Sequence, residues 1–218
     1  MATYHNAEDI QAFFRALKES SIRYLLLKNM GGELPSRLPL GKDIDLLVHP
    51  ADYGKLPALM QKAGFRQMAH PYGKESGWGF LYAMRENAFF VHTENRLIVD
   101  ACAQLATKCL GMRAWIPLDR KLQEAAWRDR AWNEDMGWYA LDESTLAVYL
   151  VVRAMFEKHG FPDMYRQEIE ERKELLLSEE GKEKLGLVFF RFTSTLLERI
   201  RQGAYEGLFD TYCRFTGY

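Results

Sequence analysis

Nothing in these 218 residues approaches the roughly 20 consecutive apolar residues that a membrane-spanning helix needs. The longest apolar stretches, Leu146 to Phe156 and Leu185 to Phe190, are too short or carry charge. Met1 to Asp9 is polar and no apolar segment of about 7–15 residues follows it, so no secretory leader is expected. Cysteine is scarce. Cys102, Cys109 and Cys213 are odd in number and form no CxxC pair, which reads most simply as reduced thiols in a cytoplasm. His5, His49, His70, His92 and His159 lack zinc-ligand spacing. An excess of either charge is missing too: 29 basic and 30 acidic residues leave a formal charge of −1. No overall basic field draws the chain to an anionic membrane or to nucleic acid, which leaves only a local basic patch open. There is no internal repeat and no low-complexity segment.

What is present suffices for a real core: 48% of residues are hydrophobic and 27% charged, in one large domain or two small ones. Ala7 to Glu19 spaces Ile10, Phe13, Phe14 and Leu17 as one helix face. Ile22 to Leu27 is a short apolar run, read as a buried strand, and Gly31-Gly32 marks a turn after it. Asp43 to Val48 predicts a second strand, and a helix follows with Gly64 as its natural stop. Phe65 to His70, Trp78 to Met84, Ala88 to His92 and Arg96 to Cys102 predict further strands, the last three joined by hairpin-length connections. Beyond them the pattern turns helical: Leu118 to Trp132, a long helix capped by Asp142, Met164 to Leu177, and Glu183 to Gln202 broken weakly at Gly186. The expected organisation is an α+β chain, with a mixed sheet and flanking helices over residues 1–115 and a helical region over 116–218.

The chemistry concentrates in Gly41-Lys42-Asp43-Ile44-Asp45, at the mouth of the apolar run Leu46 to Val48. A strand repeats every two residues, so Asp43 and Asp45 share one face and Ile44 takes the other. Two carboxylates held that close repel. A divalent cation removes the conflict, because magnesium takes carboxylate oxygens together with substrate phosphates. Aspartate pairs also occur as solvated surface. Here the apolar run makes that reading the poorer one, since burying an unpaired carboxylate is costly. Asp100 ends a second apolar run, Leu97 to Val99; if the two strands are neighbours, three carboxylates converge at one sheet edge. Otherwise Asp100 is a strand-end acid capping a turn.

These parts resemble the nucleotidyltransferase superfamily, the fold of DNA polymerase beta and of kanamycin nucleotidyltransferase. That superfamily has a strand, a glycine-containing turn, a second strand bearing DxD and a third acid on a later strand. The corresponding segments here are Leu25-Leu26-Leu27-Lys28-Asn29, Asp43-Ile44-Asp45 and Val99-Asp100-Ala101. The sequence is most similar to a bacterial branch of uncharacterised nucleotidyltransferases with the pattern LLKG…GDIDLLV, whose histidine-bearing helix Tyr149 to Gly160 resembles. The family's turn usually carries Gly-Gly or Gly-Ser; Lys28-Asn29 stands there instead. Asn29 tolerates positive φ.

The resemblance implies a mixed sheet followed by a helical region. It also implies magnesium, as one ion or two, held by Asp43, Asp45 and Asp100, and transfer of a nucleotidyl group from a nucleoside triphosphate to a hydroxyl acceptor. Asp100 would share an ion or take the hydroxyl proton. Lys28, Asn29, Lys42, Arg153 and Lys158 are the candidates to hold the nucleotide, with His159 and Arg166 as further groups on the helical side. Two alternatives stay open. One is a polyol-phosphate or phosphocholine transferase of surface polysaccharide assembly with a CDP-linked donor. The other is a non-catalytic or antitoxin-type module that binds a protein partner. Nucleic acid is not favoured as a partner, and a cytoplasmic enzyme is the leading expectation.

Overall fold

The computed structural model describes residues 4–68, 87–108 and 115–217. In chain order, helix α1 (Ala7–Glu19) leads to strand β1 (Tyr24–Leu26), a 3-10 turn at Met30–Gly32, and strand β2 (Asp43–Val48). Short helices α2 (Pro50–Tyr53) and α3 (Leu56–Lys62) precede β3 (Phe65–Gln67), β4 (Asn87–His92) and β5 (Ile98–Cys102). A small hairpin, β6 (Ala106–Lys108) with β7 (Trp115–Pro117), is followed by α4 (Arg120–Arg128). Strands β8 (Ala131–Asn133) and β9 (Trp138–Ala140) come next. Helices α5 (Glu143–Phe156), α6 (Asp163–Glu171), α7 (Lys173–Leu177), α8 (Glu179–Phe189), α9 (Thr193–Arg201) and α10 (Leu208–Cys213) complete the chain. This is the expected α+β arrangement, with a mixed sheet and a helical C-terminal region. The strand expected over Trp78 to Met84 lies outside the described residues.

The chain forms two compact units. The first comprises Met1–Leu105 with Arg130–Ala140, the second Ala106–Asp129 with Leu141–Tyr218. In the first, seven strands among the described residues run in the order β3-β4-β5-β2-β1-β9-β8. Two pairings, β2 with β5 and β1 with β9, are parallel, and the others are antiparallel. Ile10, Phe13, Phe14 and Leu17 of α1 are buried in one cluster with Leu26, Ile44, Leu46, Val48, Val99, Ala101 and Trp138. Phe14 meets Trp138 with ring centroids 4.5 Å apart. The cluster takes the even-numbered positions of β2, so strand alternation assigns Asp43 and Asp45 to the opposite face of the sheet. Asn6 caps α1 through its side-chain oxygen, which accepts from the Glu8 N–H at 3.0 Å. Gly64 follows α3 with φ +83°, the left-handed conformation that ends a helix most easily at glycine.

In the second unit α5 is buried on most of its surface, as its nearly continuous apolar sequence requires. Asp142 is its N-cap, accepting from the Thr145 N–H at 2.9 Å. Several helix limits differ from the sequence reading: Met164 to Leu177 is two helices, α6 and α7, parted at Arg172, and α8 begins at Glu179 ahead of the expected Glu183. The segment Leu118 to Trp132 is helical only as far as Arg128, and Trp132 lies on β8, where strand pairing with β9 wins over helical spacing. The C-terminal stretch breaks at Phe190 (φ 48°), not at Gly186, which lies inside α8. The break lets Phe189 and Phe192 both bury completely while Phe190 stays exposed.

Candidate metal centre

Parallel pairing of β2 with β5 sets Asp43 opposite Ile98 and Asp45 opposite Asp100. Because partners in register point their side chains to the same face, all three acids gather there, with one carboxylate oxygen from each within 4.8 Å of the others. The convergence conditional on neighbouring strands is therefore met. Asp45 is buried; Asp43 and Asp100 are partly exposed. The backbone fixes the spot tightly. The Leu27 N–H donates to the Asp45 carbonyl at 3.0 Å, and Tyr53 Oη donates to the Ala101 carbonyl at 3.2 Å, just past Asp100.

Lys28 leaves the end of β1 and ion-pairs through Nζ with Asp45 Oδ2. Both side chains are nearly enclosed, 14% and 9% exposed, so the pair sits where Coulomb attraction is weakly screened. Of the basic residues expected to hold nucleotide, Lys28 is thus paired with one of the three acids. Lys42 turns instead to Glu33, with its Nζ 2.6 Å from Oε1. Asn29 spends its side chain on the loop: its Oδ1 accepts from the Leu34 N–H at 2.9 Å and its Nδ2 donates to the Leu34 carbonyl at 3.4 Å. Glu33, nine residues before its partner and across a turn, carries no sequence signal of this pairing.

Arg153 and Lys158 belong to the second unit. The Arg153 guanidinium lies 2.8 Å from Glu157 Oε2 and donates to Tyr149 Oη at 3.4 Å. Lys158 is exposed just beyond that helix. His159 stacks on Phe209 with centroids 4.7 Å apart, and Arg166 Nε donates to the Phe161 carbonyl at 2.6 Å.

Among the described residues the cluster offers three carboxylates, a hard oxygen donor set that suits magnesium or manganese. Carboxylates gathered this closely repel one another, and a divalent cation among them would relieve that repulsion. The donor set thus fits the metal that the sequence pattern implies.

No family model matches the sequence, and no curated protein matches it. Among solved structures the fold is similar to the solution structure of the antibiotic-resistance factor ANT(2'')-Ia, with a TM-score of 0.51. The match covers 90% of this chain and 96% of that one at 14% identity, a likeness of fold. No helix among the described residues is long and apolar enough to cross a membrane.

Proposed function

We propose that this chain, which has a nucleotidyltransferase-like fold, transfers a nucleotidyl group from a nucleoside triphosphate to a hydroxyl acceptor. The observation that carries the reading is the convergence of Asp43, Asp45 and Asp100 within 4.8 Å on paired parallel strands. Asp43 and Asp45 hold magnesium together, and Asp100 either completes the ligand set or takes the acceptor's proton as general base. When bound, the metal supplies charge neutralisation at the phosphate oxygens and a lowered pKa for the acceptor hydroxyl. The acceptor oxygen bonds to the α-phosphorus, the bond from that phosphorus to the bridging oxygen breaks, and pyrophosphate leaves. Lys28, already beside Asp45, supplies a positive charge toward the phosphates as a point contact.

A CDP-linked donor is the second reading, favoured by one detail. The turn has no serine, and Asn29 is occupied by Leu34, so the groups that would grip a triphosphate are few. A thermal-shift panel of the four nucleoside triphosphates and CDP-linked alcohols, with and without magnesium, separates these cases, because a ligand binding only the folded state raises its melting temperature. A magnesium-dependent shift with one triphosphate, lost in Asp43→Asn, supports nucleotidyl transfer. A shift confined to a CDP-linked compound moves the assignment to the second donor. No shift with any of them points to a binding module.

A further inference from the structure

The second unit holds a cleft of about 500 Å³. Thr107 and Ile116 line it from the β6–β7 hairpin, and Phe156, Leu187, Phe190 and Tyr212 line it from the helical side. Every lining residue belongs to this one unit. The volume lies in the range of small-molecule sites, and a lining dominated by rings and branched aliphatic side chains is the composition such sites have.

Thr107 is only 8% exposed, and among the described residues its Oγ1 has no hydrogen-bond partner. A hydroxyl that gives up water without gaining a partner is costly, and a bound group that bonds to it recovers that cost. Phe190 supplies a separate observation. Its φ of 48° is a conformation that a bulky residue adopts only under constraint, and its ring is left 66% exposed at the cleft. Ile116, also in the lining, is 48% exposed. A ligand seated in the cleft takes both apolar side chains out of water. The charged lining residues, Lys108 and Asp119, have opposite signs and local roles. Lys108 Nζ lies 5.6 Å from the centre of the Trp115 ring, and Asp119 Oδ1 caps α4 by accepting from the Lys121 N–H at 2.8 Å. The cleft therefore suits a neutral molecule better than an ion.

We infer that this cleft binds a neutral ring compound bearing one hydroxyl group. The ring packs against Phe156, Phe190 and Tyr212, and the hydroxyl bonds to Thr107 Oγ1, which can both donate and accept. The site lies in the second unit alone and stands whether or not the acids of the first unit catalyse transfer. Calorimetric titration of the full chain with 2-naphthol, and with naphthalene as the same ring system without the hydroxyl, tests it. 2-Naphthol binds the wild type one-to-one and several-fold more tightly than naphthalene does. In Thr107→Val that advantage disappears while the affinity for naphthalene is kept. The melting temperature of the unliganded variant does not fall, because the substitution removes an unpaired buried hydroxyl at nearly constant shape. Phe190→Ser, at an exposed position, weakens both probes several-fold. Absence of saturable binding, equal affinity of the wild type for the two probes, or a 2-naphthol advantage that survives Thr107→Val overturns the inference. So does a wild-type dimer in sedimentation velocity that Phe190→Ser converts to monomer, because a second copy of the chain then takes the cleft.

Discussion

Asp45 and Asp100 face each other in register across parallel strands β2 and β5, although 54 intervening residues separate them in the chain. Their placement is a property of the sheet, and removing one charge leaves the strands paired. Asp43→Asn and Asp100→Asn should therefore keep the melting temperature within a few degrees and lower transfer by ~100-fold or more, as loss of a charge-stabilising group does. Activity against radiolabelled triphosphates, read beside circular dichroism, checks both. Near-wild-type turnover in either variant removes that residue from the site.

Asp45 behaves differently because Lys28 depends on it. Breaking a nearly enclosed ion pair strands the surviving charge, which costs about 3 kcal/mol or more. Lys28→Met leaves three carboxylates facing one another without their lysine, so the variant should melt lower than wild type in EDTA. Magnesium should then restore more stability to Lys28→Met than it adds to wild type, since the ion now relieves a larger repulsion. Equal magnesium increments in the two proteins would falsify the role of Lys28 as counter-charge to the acids.

His49 caps α2 as an acceptor: its Nδ1 takes the Ala51 N–H at 3.2 Å. Burial lowers its proton affinity first, and Arg23 and then Arg130 lower it further, partly opposed by Asp52. A base whose folded pKa is depressed binds fewer protons folded than unfolded. Its contribution is thus present above the ordinary imidazole value of 6.5 and is lost as pH falls through that value toward the lower folded one. His49→Asn keeps a capping oxygen and does not titrate. Urea unfolding at pH 8 and pH 5 should show the wild type losing more stability than His49→Asn. Parallel losses would leave the acid sensitivity to other groups.

The two-residue period of β2 and the apolar run behind it make the DxD pair legible in the sequence, and the capping role of Asp142 is legible there too. The alternation of a strand and the chemistry of an N-cap are local, so one sequence window contains them. Strand neighbours are not local. That β5 pairs with β2, and that β8 and β9 return to the sheet beside β1, depends on contacts between segments far apart in the chain. The partner of Lys42, only nine residues away, depends on how the intervening turn folds back. Glycine is the usual signal for a helix break, so the sequence points to Gly186 and not to Phe190. Here a bulky residue takes a positive φ so that its neighbours Phe189 and Phe192 can both bury.

Lys28 and Lys42 looked equivalent in sequence, each a lysine beside a motif segment, and the structure separates them. Lys42 pairs with Glu33 at a partly open position, 36% exposed on the lysine side, where an ion pair contributes about 0–1 kcal/mol. Its removal should change triphosphate affinity by ~5-fold at most. Lys28 lies against the acid cluster, and a charge-assisted contact to phosphate there is worth about 1.5–3 kcal/mol, roughly 10–100-fold in affinity. Titrating the favoured triphosphate in magnesium into Lys28→Ala and Lys42→Ala measures the difference directly. A larger loss in Lys42→Ala would mean that the lysine leaves Glu33 for the nucleotide and that Lys28 stays with Asp45 when substrate binds.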